Sequence, residues 1–102
     1  MLYKIQAKYK KERLKDFFSK LTDGSIESLK PDGTEILHSM KNAKISSDNI
    51  IVWYESCFCE IPLNHERTTV YDKYFDAFIP DLVERRKDDI VGKSFWEYMR
   101  TL

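Results

Sequence analysis

The chain predicts an α+β domain in which helices cover one face of an antiparallel β-sheet. Three observations carry that prediction. Residues 3–9 alternate between apolar and polar, residues 14–21 are apolar at helical spacing, and residues 50–59 form a β-branched and aromatic run.

In 3-YKIQAKY-9, Tyr3, Ile5, Ala7 and Tyr9 alternate with Lys4, Gln6 and Lys8, as in a strand with one wet face. Leu14, Phe17, Phe18 and Leu21 then mark one face of a helix, with Gly24 placed to end it in a left-handed cap. Lys10 and Lys11 at its start oppose the helix dipole, so packing on the first strand has to hold that end. The segment 31-PDG-33 reads as a turn, with proline presetting φ and glycine accepting positive φ.

The stretch 34-TEILHSMKNAKI-45 has two readings. As a helix it gathers Ile36, Leu37, Met40 and Ala43 on one side; as a strand it leads through 46-SSDN-49 into 50-IIVWYESCFC-59. If Ile45 and Ile50 close a hairpin, His38 stands across from Cys57 and Ile36 across from Cys59. One face of that hairpin would carry Leu37, Ala43, Ile45, Ile50, Val52, Tyr54 and Phe58. The other would carry Ile36, His38, Met40, Ile51, Trp53, Glu55, Cys57 and Cys59. Both are largely apolar, which calls for a second layer or a second copy of the chain. A slip of one residue would exchange the two faces.

From Asn64, read as an N-cap, Val70, Tyr71, Tyr74, Phe75, Phe78 and Ile79 recur at helical spacing up to Pro80, although 67-RTTVY-71 also suits the start of a strand. Pro80 would open a further short helix through Leu82 and Val83. The run 84-ERRKDD-89 balances three bases with three acids and reads as a solvated surface. A capping box, 94-SFWE-97, opens a terminal helix whose Phe95, Trp96, Tyr98 and Met99 need a surface to dock on. Strand, helix, strand, strand, helix in this order points to a ferredoxin-like plait, and 102 residues make one domain spanning 1–102.

Bulk composition limits the function. Seventeen basic and seventeen acidic side chains leave no net charge, and no RNP-type run is present, which argues against nucleic acid as a partner. Residues 1–20 nonetheless hold seven basic groups against Glu12 and Asp16, a local surplus that the rest of the chain offsets. No apolar run approaches the ~20 residues of a membrane span. Early lysines interrupt any export signal, so a cytoplasmic, reducing setting is expected. Three scattered glycines cannot form a phosphate loop, and 65-HERTT-69 has Thr69 where a zinc-protease helix needs histidine.

Chemistry-bearing residues concentrate in 53-WYESCFCEIPLNHER-67, with both cysteines, one histidine and three carboxylates. Cys57, Cys59, His38 and His65 complete a Cys2His2 inventory, but C-x-C does not let the chain curl around zinc, so no metal or cofactor is assigned. A Cys57–Cys59 disulfide would need the strand to bend. A thiol nucleophile needs a cation or imidazole beside it; the hairpin supplies His38 opposite Cys57, with Glu55 two residues away. Buried cysteine is more often a small hydrophobe than a reagent. The favoured expectation is therefore a non-catalytic domain that binds itself, as a homodimer, or another protein. The alternative is a small enzyme or small-molecule binder with a pocket on the second sheet face around His38, Trp53, Glu55 and Cys57. Its catalytic candidates are Cys57, His38 and Glu55, and its ligand contacts are Trp53, Cys59 and His65.

Overall fold

Alternation decides the first element. β1 (Leu2–Tyr9) buries Tyr3, Ile5, Ala7 and Tyr9 and exposes Lys4, Gln6 and Lys8. The computed structural model describes residues 1–57, 60–85 and 90–102. After a 3-10 turn at Lys11–Arg13, α1 (Leu14–Thr22) lays Leu14, Phe17 and Leu21 on that buried face. Full burial of each such side chain contributes on the order of 2 kcal/mol. Gly24, at φ +91°, follows the C-cap residue Asp23 as expected.

The 34–45 ambiguity resolves in favour of a helix. α2 (Gly33–Asn42) buries Ile36, Ser39 and Met40, and only Lys44–Ser47 forms a strand, β2. Gly33 plays a different part from the one the turn suggested. Its φ is not positive; instead, a Cβ there would lie 2.1 Å from the Ile26 carbonyl oxygen, so glycine permits a close approach of two backbones.

β3 (Ile50–Ser56) pairs antiparallel with both β1 and β2. The expected register is corrected by one residue: Ile45 pairs with Ile51 and Lys44 with Val52, with an irregularity before Ser47 and Ile50. Ile45 therefore shares the covered face with Ile51, and His38, being helical, stands opposite nothing on β3.

The helix expected up to Pro80 is also corrected. A helical stretch covers 64–74 through the turns Asn64–Glu66, Arg67–Tyr71 and Asp72–Tyr74, the middle one a π turn. Leu63, in a left-handed conformation at φ 55°, occupies the N-cap position expected for Asn64. β4 (Phe75–Val83) then runs antiparallel along β1, with no helix starting at Pro80. The misleading helical spacing has a local cause. Between the pairs Gln6–Ile79 and Lys8–Asp76 the register shifts, and Ala77 sits at φ 48°. This bulge inserts one residue, so Phe75 and Phe78, three apart, both reach the Trp53 ring, at 5.5 and 5.8 Å. Pro80 is tolerated because β4 is an edge strand.

β5 (Lys93–Ser94) closes the other edge and leads into the terminal helix Phe95–Arg100. The Ser94 hydroxyl accepts the Glu97 N–H, one half of the expected capping box, while the Glu97 carboxylate turns to Arg100 at 2.6 Å. Phe95 and Met99 are buried, and Trp96 meets Phe18 edge-on at 4.9 Å, so the aromatic tail docks on the body.

The result is a five-stranded antiparallel sheet, order β4-β1-β3-β2-β5, with helices packed against it. The class is the one expected. The first four strands and their intervening helices run β-α-β-β-α-β, but a second helix precedes β2, and β5 and the terminal helix extend one edge. The specific ferredoxin-like plait is accordingly not confirmed. No helix of the described residues is long and apolar enough to cross a membrane.

The sheet's second face is mixed, because Ile50, Val52 and Tyr54 of β3 and the exposed Ile79 of β4 share it with the polar residues of β1. It exposes Lys4, Gln6, Lys8 and Asp81, while Val52 is 92% covered, and Ile90 and Val91 border a cavity of about 400 Å³ above it. Trp53, Glu55 and Cys57 lie on the opposite face, beneath the helices.

Candidate functional site

Strand alternation sets Ile51, Trp53, Glu55 and Cys57 on one face of β3 and its continuation, and packing covers that face. A carboxylate thus stands at a core position. Glu55 has no exposure to solvent; its Oε1 accepts Trp53 Nε1–H at 2.9 Å and Tyr71 Oη–H at 2.5 Å. Oε2 makes no close hydrogen bond, nor does the similarly buried hydroxyl of Ser39 on α2, its weak neighbour. Burial pushes the Glu55 carboxyl up to about 8. The Tyr71 and Trp53 bonds counter this only in part, and the charge of Glu66 adds to it. At neutral pH Glu55 is therefore mainly the neutral acid, able to donate one hydrogen bond.

Tyr71 reaches this point because of the π turn. Residues five apart diverge around an α-helix, whereas the wider i→i+5 turn brings Glu66 and Tyr71 onto one side, and both are buried. Burial and the neighbouring Glu55 hold the Tyr71 hydroxyl well above its ordinary range.

Glu66 is the second buried carboxyl, 1% exposed, and burial together with Asp32 raises it. The Cys57 thiol donates to it, and it shares a hydrogen bond with Asp32. Asp32, the N-cap residue of α2, also contacts His65 through Oδ2 and Nδ1. These last two are the solvent side of the cluster, with side chains 24% and 39% exposed. Polar groups thus run from Asp32 and His65 at the surface, through Glu66 and Cys57, to Glu55, Tyr71 and Trp53 in the core.

Of the residues proposed from sequence, Trp53, Glu55, Cys57 and His65 belong to this arrangement. His38 does not: it is exposed on α2, where its carbonyl accepts Asn42 Nδ2–H at 2.9 Å. The Cys–His pair expected from the hairpin is therefore not formed. Cys59 lies outside the described residues. The Cys57 thiol is engaged by a carboxylate, whereas thiolate activation calls for a cation or imidazole. Sequence reasoning missed Asp32, Ser39, Glu66 and Tyr71. Only the adjacency of Glu66 to His65 hinted at one of them, and nothing local marked the others.

Among the described residues, Asp32, His65 and Glu66 form a close set of metal-ligand type, one donor atom from each lying within 4.8 Å of the others. Apart from this cluster, a cavity of about 470 Å³ opens beside the end of α1, between Lys20, Ile26, Leu29 and Val70. Comparison with family models, curated proteins and solved structures finds no match for the chain.

Proposed function

We propose that this chain is a small-molecule-binding or enzymatic domain whose working groups lie along the file Asp32–His65–Glu66–Cys57–Glu55. The observation that carries the reading is Glu55: a carboxyl group without solvent exposure, clamped on one oxygen by Trp53 and Tyr71, with the other making no close hydrogen bond. Buried acids of this kind are costly to a fold and concentrate where protons are held or passed. Asp32 and His65 contact the ligand at the solvent side, and Glu55 holds a proton behind them. A reducing, cytoplasmic setting keeps Cys57 a thiol donor to Glu66.

The rival reading, a homodimer or protein-binding module, drew its force from a strand apolar on both faces. Trp53 and Cys57 lie under the helices, and the other face sets Ile50, Val52 and Tyr54 of β3 beside Lys4, Gln6 and Lys8 of β1.

The test pairs sedimentation at micromolar concentration with thermal-shift measurements against small carboxylic acids, carbonyl compounds and phosphate esters. A monomer stabilised by one of these classes, with the shift lost in His65→Ala, supports the reading. A tight dimer indifferent to every class returns the protein to the self-association reading.

A further inference from the structure

The acidic mouth of the cluster also has the composition of a cation site. Asp32, His65 and Glu66 offer two carboxylate oxygens and one imidazole nitrogen, all within 4.8 Å of one another. Zinc-type ligands stand about 2.0–2.2 Å from the ion, so their donor atoms are roughly 3–3.5 Å apart. Seating an ion therefore takes shifts on the order of 1 Å, with the direct His65–Asp32 contact opening to admit it. Two firm elements carry it: Asp32 at the start of α2, and His65 with Glu66 in the first turn of the 64–74 stretch.

A second observation, independent of these three residues, points the same way. Glu55 Oε2 is buried without a close hydrogen bond on the same β3 face as Cys57, whose thiol donates to Glu66. A further buried carboxyl group thus backs the cluster on its interior side. Arg67, the neighbouring cation in the chain, is turned away, its Nε on Asp72 at 3.2 Å and its guanidinium over the Phe78 ring.

We infer that Asp32, His65 and Glu66 bind one divalent transition-metal ion through two carboxylate oxygens and His65 Nδ1. The inference rests on the reading of this cluster as the working site. One nitrogen with two oxygens suits zinc, cobalt, iron(II) or manganese better than magnesium or calcium, which favour all-oxygen sets. The partial exposure of Asp32 and His65 gives the ion an entry path and leaves positions for water or ligand. Cys57 acts from outside the coordination sphere by orienting the Glu66 carboxylate.

The test titrates the full chain, stripped with chelator, with Zn²⁺ by calorimetry and with Co²⁺ by visible absorption. One equivalent should bind, and His65→Ala and Asp32→Asn should each weaken binding by about tenfold or more. His38→Ala, at an exposed histidine outside the cluster, should leave it unchanged; the wild-type Co²⁺ spectrum should lack a thiolate charge-transfer band, and Cys57→Ser should not alter that spectrum. Circular dichroism of each variant confirms that it is folded. No saturable binding at millimolar metal, or binding indifferent to His65→Ala, overturns the inference. A small-molecule shift that persists in metal-free protein, with no metal binding, removes the cation and leaves the proposed function standing.

Discussion

Tyr71 Oη donates to Glu55 Oε1 across 2.5 Å, from the π turn of one helical stretch to the central strand β3. This bond joins two buried titratable groups whose charged forms both suffer from burial. The stability of the fold should therefore respond to proton concentration in a defined direction.

Glu55 moves from an ordinary value of 4.5 to about 8 on folding. Between those values the folded protein holds more protons than the unfolded chain, so stability is highest at the acid end and declines as pH rises to about 8. At 1.36 kcal/mol per unit, the decline is on the order of 4 kcal/mol. Urea denaturation from about pH 5 to about pH 9 should show it. Glu55→Gln, which has no proton to lose, should flatten most of the slope; the raised Glu66 carboxyl leaves a smaller one of the same sign. A wild-type profile already flat over that window would refute the assignment.

Tyr71→Phe deletes one of the two donors to Glu55 Oε1 and keeps the ring packed on Trp53 at 5.3 Å. The expected loss is about 1–2 kcal/mol at neutral pH. Combined with Glu55→Gln in a double-mutant cycle, it should show a coupling of at least about 0.5 kcal/mol. Additive effects would mean that the two groups do not interact in solution.

Gly33→Ala separates helix propensity from steric contact. Propensity alone predicts a gain of about 1 kcal/mol in a helix. A methyl 2.1 Å from the Ile26 carbonyl oxygen and 2.6 Å from that of Glu27 has no room, and both neighbours are backbone. A net loss of about 1–3 kcal/mol is expected, read as a fall in melting temperature. A rise would show that the two backbones do not pack this closely.

Ala77 should behave in the opposite way. It is exposed and holds φ at 48° in the β4 bulge, a conformation that a side chain disfavours. Ala77→Gly is expected to stabilise the protein by up to about 1 kcal/mol, measured by denaturant midpoint, without altering sheet content. A loss of stability would place the bulge elsewhere.

Legibility from sequence varied with how local each cause was. β1 and α1 read correctly because Tyr3, Ile5 and Ala7, and Leu14, Phe17 and Leu21, declare their periods within a few residues. β4 misread because its bulge spaces Phe75 and Phe78 as a helix would. Within the site, Glu55 was legible as a facial neighbour of Trp53 and Cys57 through strand alternation. Asp32, 33 positions from His65 in the chain, was not legible, because no local rule relates residues so distant.

By itself the amino-acid order determined the α+β class, the first strand and helix, and the apolar character of the fifties segment. Each follows from the period at which side chains meet a buried surface. Only the tertiary structure decided that 33–42 coils, that β2 slips one residue against β3, and that Asp32, His65, Glu66 and Glu55 converge. Those outcomes depend on which surfaces compete for the same core, and that competition takes place between segments distant in the chain.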